Sequence, residues 1–222
     1  MTKADIIQRT ADHVKEALSA ESAGQAATGH DWWHVYRVWQ MAKRIGADEG
    51  ADLFVVELAA LLHDIADWKF HGGDETAGSR AARGWLESQS VDGIIINHVC
   101  QIIDNLSFKG AGVQTTMKTR EGMVVQDADR LDALGAIGIA RAFAYGGHKG
   151  REIHNPDIAP AHHATFEEYK NSAGPTINHF YEKLFLLKGL LNTGTAKHIA
   201  EERHSFMEEY VRRFLREWDG EE

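Results

Sequence analysis

Three short stretches of this 222-residue chain carry side chains that packing alone does not explain: His30-Asp31-Trp32-Trp33-His34, Leu61-Leu62-His63-Asp64-Ile65-Ala66-Asp67, and Asp127-Ala128-Asp129-Arg130-Leu131-Asp132. The second is the most informative. Two adjacent ionisable groups at the end of an apolar run carry a desolvation cost unless both are satisfied. A divalent cation satisfies both, and the negative C-terminal end of a helix favours a cation nearby. The dipeptide itself is common: with 13 histidines and 15 aspartates, about one His-Asp pair arises by chance, and two occur. Context separates them. Asp31 precedes a helical pattern and reads as its N-cap, whereas His34, four residues after His30 and deeper in that pattern, is the better ligand candidate.

The elements that must position these groups read as helices. Val35, Val38, Trp39, Ala42 and Ile45 recur at three- and four-residue steps, which predicts an amphipathic helix over 32–45. The run LFVVELAALL is apolar nearly all round, broken by Glu57, and predicts a buried central helix over 52–66. Glycines 72 and 73 then end the unit in a loop, with Asp74 placed to cap the next helix. Further helices are expected over 75–88 and 92–105, a loop over 107–115, and one long helix over 121–145, in which Leu131, Leu134, Gly138 and Ala142 share a face. All three prolines lie in the last third, and 146–160 reads as a long loop before a further helical region from Pro175.

Composition bounds the rest. Twenty-four basic against 33 acidic side chains leave a net charge of −9, which disfavours nucleic acid and anionic membrane as partners. A hydrophobic content of 43% supports a substantial core. The single cysteine, Cys100, excludes an intrachain disulfide and a cysteine-based zinc cage. The start, MTKADIIQRT, has no apolar signal core, so the cytoplasm is the expected location. No phosphate-binding P-loop, dinucleotide fingerprint or nucleophile elbow occurs. The expected architecture is all-α, a single domain over 1–222.

His34, then His63-Asp64, then Asp129 within DADRLDALGAIGIAR resembles the H…HD…D signature of the HD-domain superfamily of metal-dependent phosphohydrolases. The stretches GHDWWHVYRVW, ELAALLHDIADWKFHGGDE, SFKG and VVQDADRLDALGAIGIARAFAYGG are similar to small bacterial members, including nucleoside triphosphate pyrophosphohydrolases. The likeness spans about 26–150, with C-terminal helices over about 160–218. It implies an HD-domain helical bundle with a C-terminal helical extension, and one divalent metal held by His34, His63, Asp64 and Asp129.

Two imidazoles and two carboxylates suit Mn, Mg, Fe, Ni or Zn, with manganese favoured here. Some relatives hold a second metal through extra histidines; His98 is the residue on offer but does not match their spacing. Asp127 and Asp132 are expected to be solvated or ion-paired. Asp67, three residues after Asp64, resembles the acidic residue that assists the attacking water in some relatives; the other reading pairs it with Lys69 or Arg130. Asp64 and Asp67 are thus the catalytic candidates. Lys69, Lys109, Arg130 and Arg141 are the candidates for substrate phosphate, with Lys69 and Lys109 first. Trp32, Trp33, Trp68 and Phe70 could stack on a nucleobase, although core packing explains such residues more simply.

His148, His154, His162 and His163 read as solvated surface. The resemblance implies hydrolysis of a phosphoanhydride or phosphoester bond, of a nucleotide or another small phosphate, by a metal-activated water. The alternative is a non-catalytic metal- and nucleotide-binding module acting as a sensor or docking unit. A homodimer through C-terminal aromatics is a further expectation.

Overall fold

In a computed structural model, residues 1–21, 31–66, 76–106, 117–161 and 174–221 are described. Among them every regular element is helical and no strand occurs. The chain divides into two compact units, Met1–Phe108 with Thr115–Asp129, and Lys109–Gln114 with Arg130–Glu222.

The first unit is built round its most apolar segment. Helix α3 (Leu53–Leu62) buries Phe54, Val55, Val56, Leu58, Ala59, Ala60, Leu61 and Leu62. Such all-round burial places a helix at the centre, and α1 (Lys3–Glu21), α2 (Trp32–Asp48) and α5 (Gly93–Leu106) pack against it. Helix α4 (Ala77–Ser88) packs on α5. Each fully buried leucine or valine contributes about 1.5–3 kcal/mol, so α3 anchors the unit. Helix α2 opens on Asp31, whose carboxylate accepts the His34 backbone N–H at 2.8 Å, the cap expected from sequence. Gly46 lets α2 approach closely: a Cβ there would stand 3.0 Å from Leu53 Cδ2 and 3.6 Å from Val124 Cγ1 of α6 (Arg120–Asp132).

Two helices end earlier than their patterns predict. The one expected over 52–66 stops at Leu62, and 63–66 form a turn. The Ala60 carbonyl, which a continuing helix would pair with a backbone N–H, takes the His63 ring N–H instead at 2.8 Å. The helix expected over 121–145 breaks into α6 and α7 (Gly135–His148). Gly135 has φ +73° with the Arg203 side chain against it, so the backbone reverses where only glycine is unstrained. A Cβ at Gly138 would overlap the Ala133 carbonyl. Glycine is therefore required by this tight turn.

In the second unit α7 packs on α8 (Gly194–Trp218) through a ring cluster of Phe143, Phe180, Tyr210 and Phe214. Between them lie a π-helical turn (Phe180–Leu184), an α turn (Phe185–Leu187) and a 3-10 turn (Lys188–Leu190). His154 departs from the solvated surface expected of it, since its ring packs edge-on to Phe214 and Trp218. Cys100 is a small buried hydrophobe whose thiol contacts the Ser79 carbonyl at 3.3 Å. No described helix is long and apolar enough to cross a membrane.

Candidate metal centre

Four side chains separated by up to 95 positions meet in the first unit. Helix α2 supplies His34 from its first turn, the end of α3 supplies His63 and Asp64, and α6 supplies Asp129. His34 Nε2 lies 3.3 Å from His63 Nε2. Asp64 Oδ2 stands 3.5 Å from His34 Nε2 and 3.6 Å from His63 Nε2. Asp129 Oδ1 stands 3.5 Å from His34 Nε2.

These spacings test whether a cation fits. Donors about 2.1 Å from one ion are separated by roughly 3.0 Å at right angles and about 3.4 Å in a tetrahedron. The four spacings of 3.3–3.6 Å meet that requirement, and His34, His63 and Asp129 each offer an atom within 4.8 Å of the others, with Asp64 beside the two imidazoles at the edge of that group. The tautomer meets it too. The Ala60 carbonyl can only accept, so the neutral His63 ring carries its proton on Nδ1 and turns the Nε2 lone pair toward His34. Lone pairs and carboxylate oxygens converging on one point repel one another unless a positive charge sits among them. The imidazoles are 2–3% exposed, Asp64 is 15% exposed and Asp129 36%. The nitrogen side is therefore closed, and the Asp129 side reaches solvent.

A residue that the sequence reading noted only as an interruption holds this arrangement. Glu57, the one charge in LFVVELAALL, accepts the Trp39 indole N–H at 2.9 Å and lies 3.7 Å from Lys43 Nζ. Trp39 and Lys43 belong to α2 and Glu57 to α3, so the tie spans the two helices that carry the histidines. The facing pairs His34/His63, Trp39/Glu57 and Gly46/Leu53 keep one antiparallel register.

Asp67, Trp68, Lys69, Phe70, Gly72, Gly73, Asp74, Lys109, His162, His163 and the 107–115 loop lie outside the described residues. Arg130 and Arg141 belong to the second unit. There the Arg130 guanidinium donates to the Leu190 carbonyl, and Arg141 Nη1 donates to Asp132 Oδ2 at 2.6 Å. Asp132 is thus ion-paired as expected, and Asp127 is wholly buried. His98 lies 3.8 Å from Glu121 Oε2 and joins no cluster of metal-binding groups among the described residues. Trp33 is 60% exposed beside His34.

Comparison with known proteins agrees with this geometry. The model of the HD domain matches residues 32–134, a span that contains all four converging residues. The uncharacterised protein YpgQ of Bacillus subtilis (strain 168) is 40% identical over 208 residues, 93% of this chain and 91% of its own. A crystal structure of an HD-superfamily hydrolase from Bacillus thuringiensis superposes with a TM-score of 0.77 at 44% identity, covering 98% of this chain and 99% of that one. The structure of B. subtilis YpgQ in complex with ADP gives a TM-score of 0.76 at 34% identity, covering 98% and 97%. With the motif, the helical fold and relatives alike over nearly its whole length, this chain belongs to the HD domain family.

Proposed function

We propose that the protein is a metal-dependent phosphohydrolase that cleaves a phosphoanhydride or phosphoester bond of a nucleotide, with the whole chain, 1–222, as the functional unit. The observation that carries this reading is the convergence of His34, His63, Asp64 and Asp129 at cation-compatible spacing on a site open at one side. In this reading the four residues hold one divalent ion, manganese by preference. When bound, such an ion lowers the pKa of a water and draws electron density from a phosphoryl oxygen.

The residues do the rest. His63, locked by the Ala60 carbonyl, presents Nε2 in one orientation and loses no rotamer freedom on binding. Asp129, the most exposed ligand, borders the opening through which a phosphate can approach. Asp67 accepts the proton of the attacking water at its carboxylate. Lys69 and Lys109, with Arg130 and Arg141 as further candidates, neutralise phosphate charge. A nucleotide is the favoured substrate because the relative YpgQ was crystallised with ADP.

A panel of nucleotides and phosphate esters, assayed with manganese, tests this. Phosphate or pyrophosphate release that disappears in Asp67→Asn while metal binding persists is the expected result. No release with any divalent ion refutes the hydrolase and leaves a metal- and nucleotide-binding sensor.

A further inference from the structure

Of the four converging residues, His34, His63 and Asp64 lie on α2 and at the end of α3, and Asp129 alone lies on another helix, α6. Its place in the set therefore depends on how α6 is held against the α2–α3 pair. Polar contacts at the opposite end of α6 do this, where the helix meets the loop between α2 and α3. Glu121 Oε1 accepts the Asp52 backbone N–H at 3.0 Å, and Arg120 Nη1 donates to the Gly50 carbonyl at 3.3 Å. The second Glu121 oxygen faces α5, 3.8 Å from His98 Nε2, a buried nitrogen with no hydrogen-bond partner.

The Glu121 contact completes the start of α3. Asp52 caps that helix by accepting the Phe54 N–H at 2.9 Å, and its own backbone N–H points away from the helix it opens. In a capping box the residue three positions further on returns a side-chain oxygen to that N–H. Here that position is Val55, which is buried in the core, and Glu121 supplies the carboxylate from a different helix. Between this clamp and the ligand, Val124 packs where Gly46 lets α2 approach. With a pivot at Val124, α6 extends about 4.5 Å to Glu121 and about 7.5 Å to Asp129 at the helical rise per residue. A movement of about 1 Å at the clamp then carries Asp129 by about 1.7 Å. Metal–ligand distances tolerate only about 0.2 Å.

We propose that Glu121 is a positioning residue for the metal centre: by closing the cap of α3 from α6 it fixes the lie of α6, and with it the distance of Asp129 from the imidazoles. This role rests on the metal reading of the site, since it needs Asp129 to be a ligand.

Manganese titration of the full chain tests it in a double-mutant cycle of Glu121→Ala with Asp129→Ala, alongside thermal melts. Weak binding is read from manganese broadening of the histidine ring signals in NMR. Glu121→Ala alone should weaken manganese by about fivefold, the value of one hydrogen bond. Glu121→Gln, which keeps an oxygen for the Asp52 N–H, should restore the wild-type affinity. In the Asp129→Ala background the Glu121→Ala change should leave the residual affinity as it is, while its effect on Tm persists. A clamp that merely supports the fold would weaken manganese equally in both backgrounds. That result, or wild-type affinity in Glu121→Ala, overturns the proposal. A wild-type chain that binds no manganese refutes the metal reading itself and removes the positioning role with it.

Discussion

Trp39→Phe keeps an aromatic ring in the α2–α3 interface and removes only the N–H that donates to Glu57. A hydrogen bond to a charged group contributes about 1.5–3 kcal/mol. Glu57 keeps Lys43 at 3.7 Å, a half-exposed partner whose ion pair contributes less than about 1 kcal/mol. The loss should therefore fall at the lower end, about 2 kcal/mol. For a chain of this length that corresponds to a fall in Tm of about 4–8 °C. The consequence for function lies in register. A slip of one helical turn would move His34 past His63 by about 5.4 Å and destroy the ligand set. Partial loosening should weaken divalent-metal affinity by about tenfold, the usual cost of losing a supporting contact behind ligands. Calorimetry and metal titration on the same samples separate the two effects. A variant that loses stability yet binds manganese like the wild type refutes the claim that this tie sets the site.

Acid should expose His179. Burial, reinforced by Lys183 and Arg151, holds its folded-state pKa at about 3, against about 6.5 unfolded. Below pH 6.5 the unfolded chain therefore takes up a proton that the folded chain refuses, and stability falls as pH drops toward 3. Between pH 8 and pH 5 this costs about 2 kcal/mol; urea unfolding of His179→Gln at both values should show that much less acid sensitivity, and an unchanged difference would contradict the assignment. Two glycines should respond oppositely to alanine. Gly138→Ala drives a Cβ into the Ala133 carbonyl and should abolish soluble folding or strongly lower Tm, whereas Gly84, exposed in α4 with nothing within 4 Å of a new Cβ, should gain about 0.5–1 kcal/mol. Thermal melts of the two variants check both signs.

Local patterns carried much of the fold. The three- and four-residue spacing of Val35, Val38, Ala42 and Ile45 located α2, and Asp31 announced its start. Both early helix ends escaped for a physical reason. Ile65 and Ala66 continue the apolar run, yet the His63 ring takes the carbonyl that the next turn needs. Ala133-Leu134-Gly135 reads as helix until Gly135 adopts a left-handed conformation beneath Arg203, a residue 68 positions away. The four converging positions were legible because the resemblance fixes residue types at particular points along the chain. Supporting contacts were not: Glu57 meets Trp39 across 18 residues, and nothing in the period of either helix announces the pairing.

Elemental analysis with manganese titration, on the wild type and on His34→Ala and His63→Ala, addresses the metal centre most directly. One divalent ion per chain in the wild type, with affinity at least a hundredfold weaker in each variant, is the predicted result, since loss of a ligand should exceed the 10–100-fold cost of losing a supporting contact. Undiminished stoichiometry and affinity in both variants would show that the ion, and any hydrolysis that depends on it, resides elsewhere in the molecule.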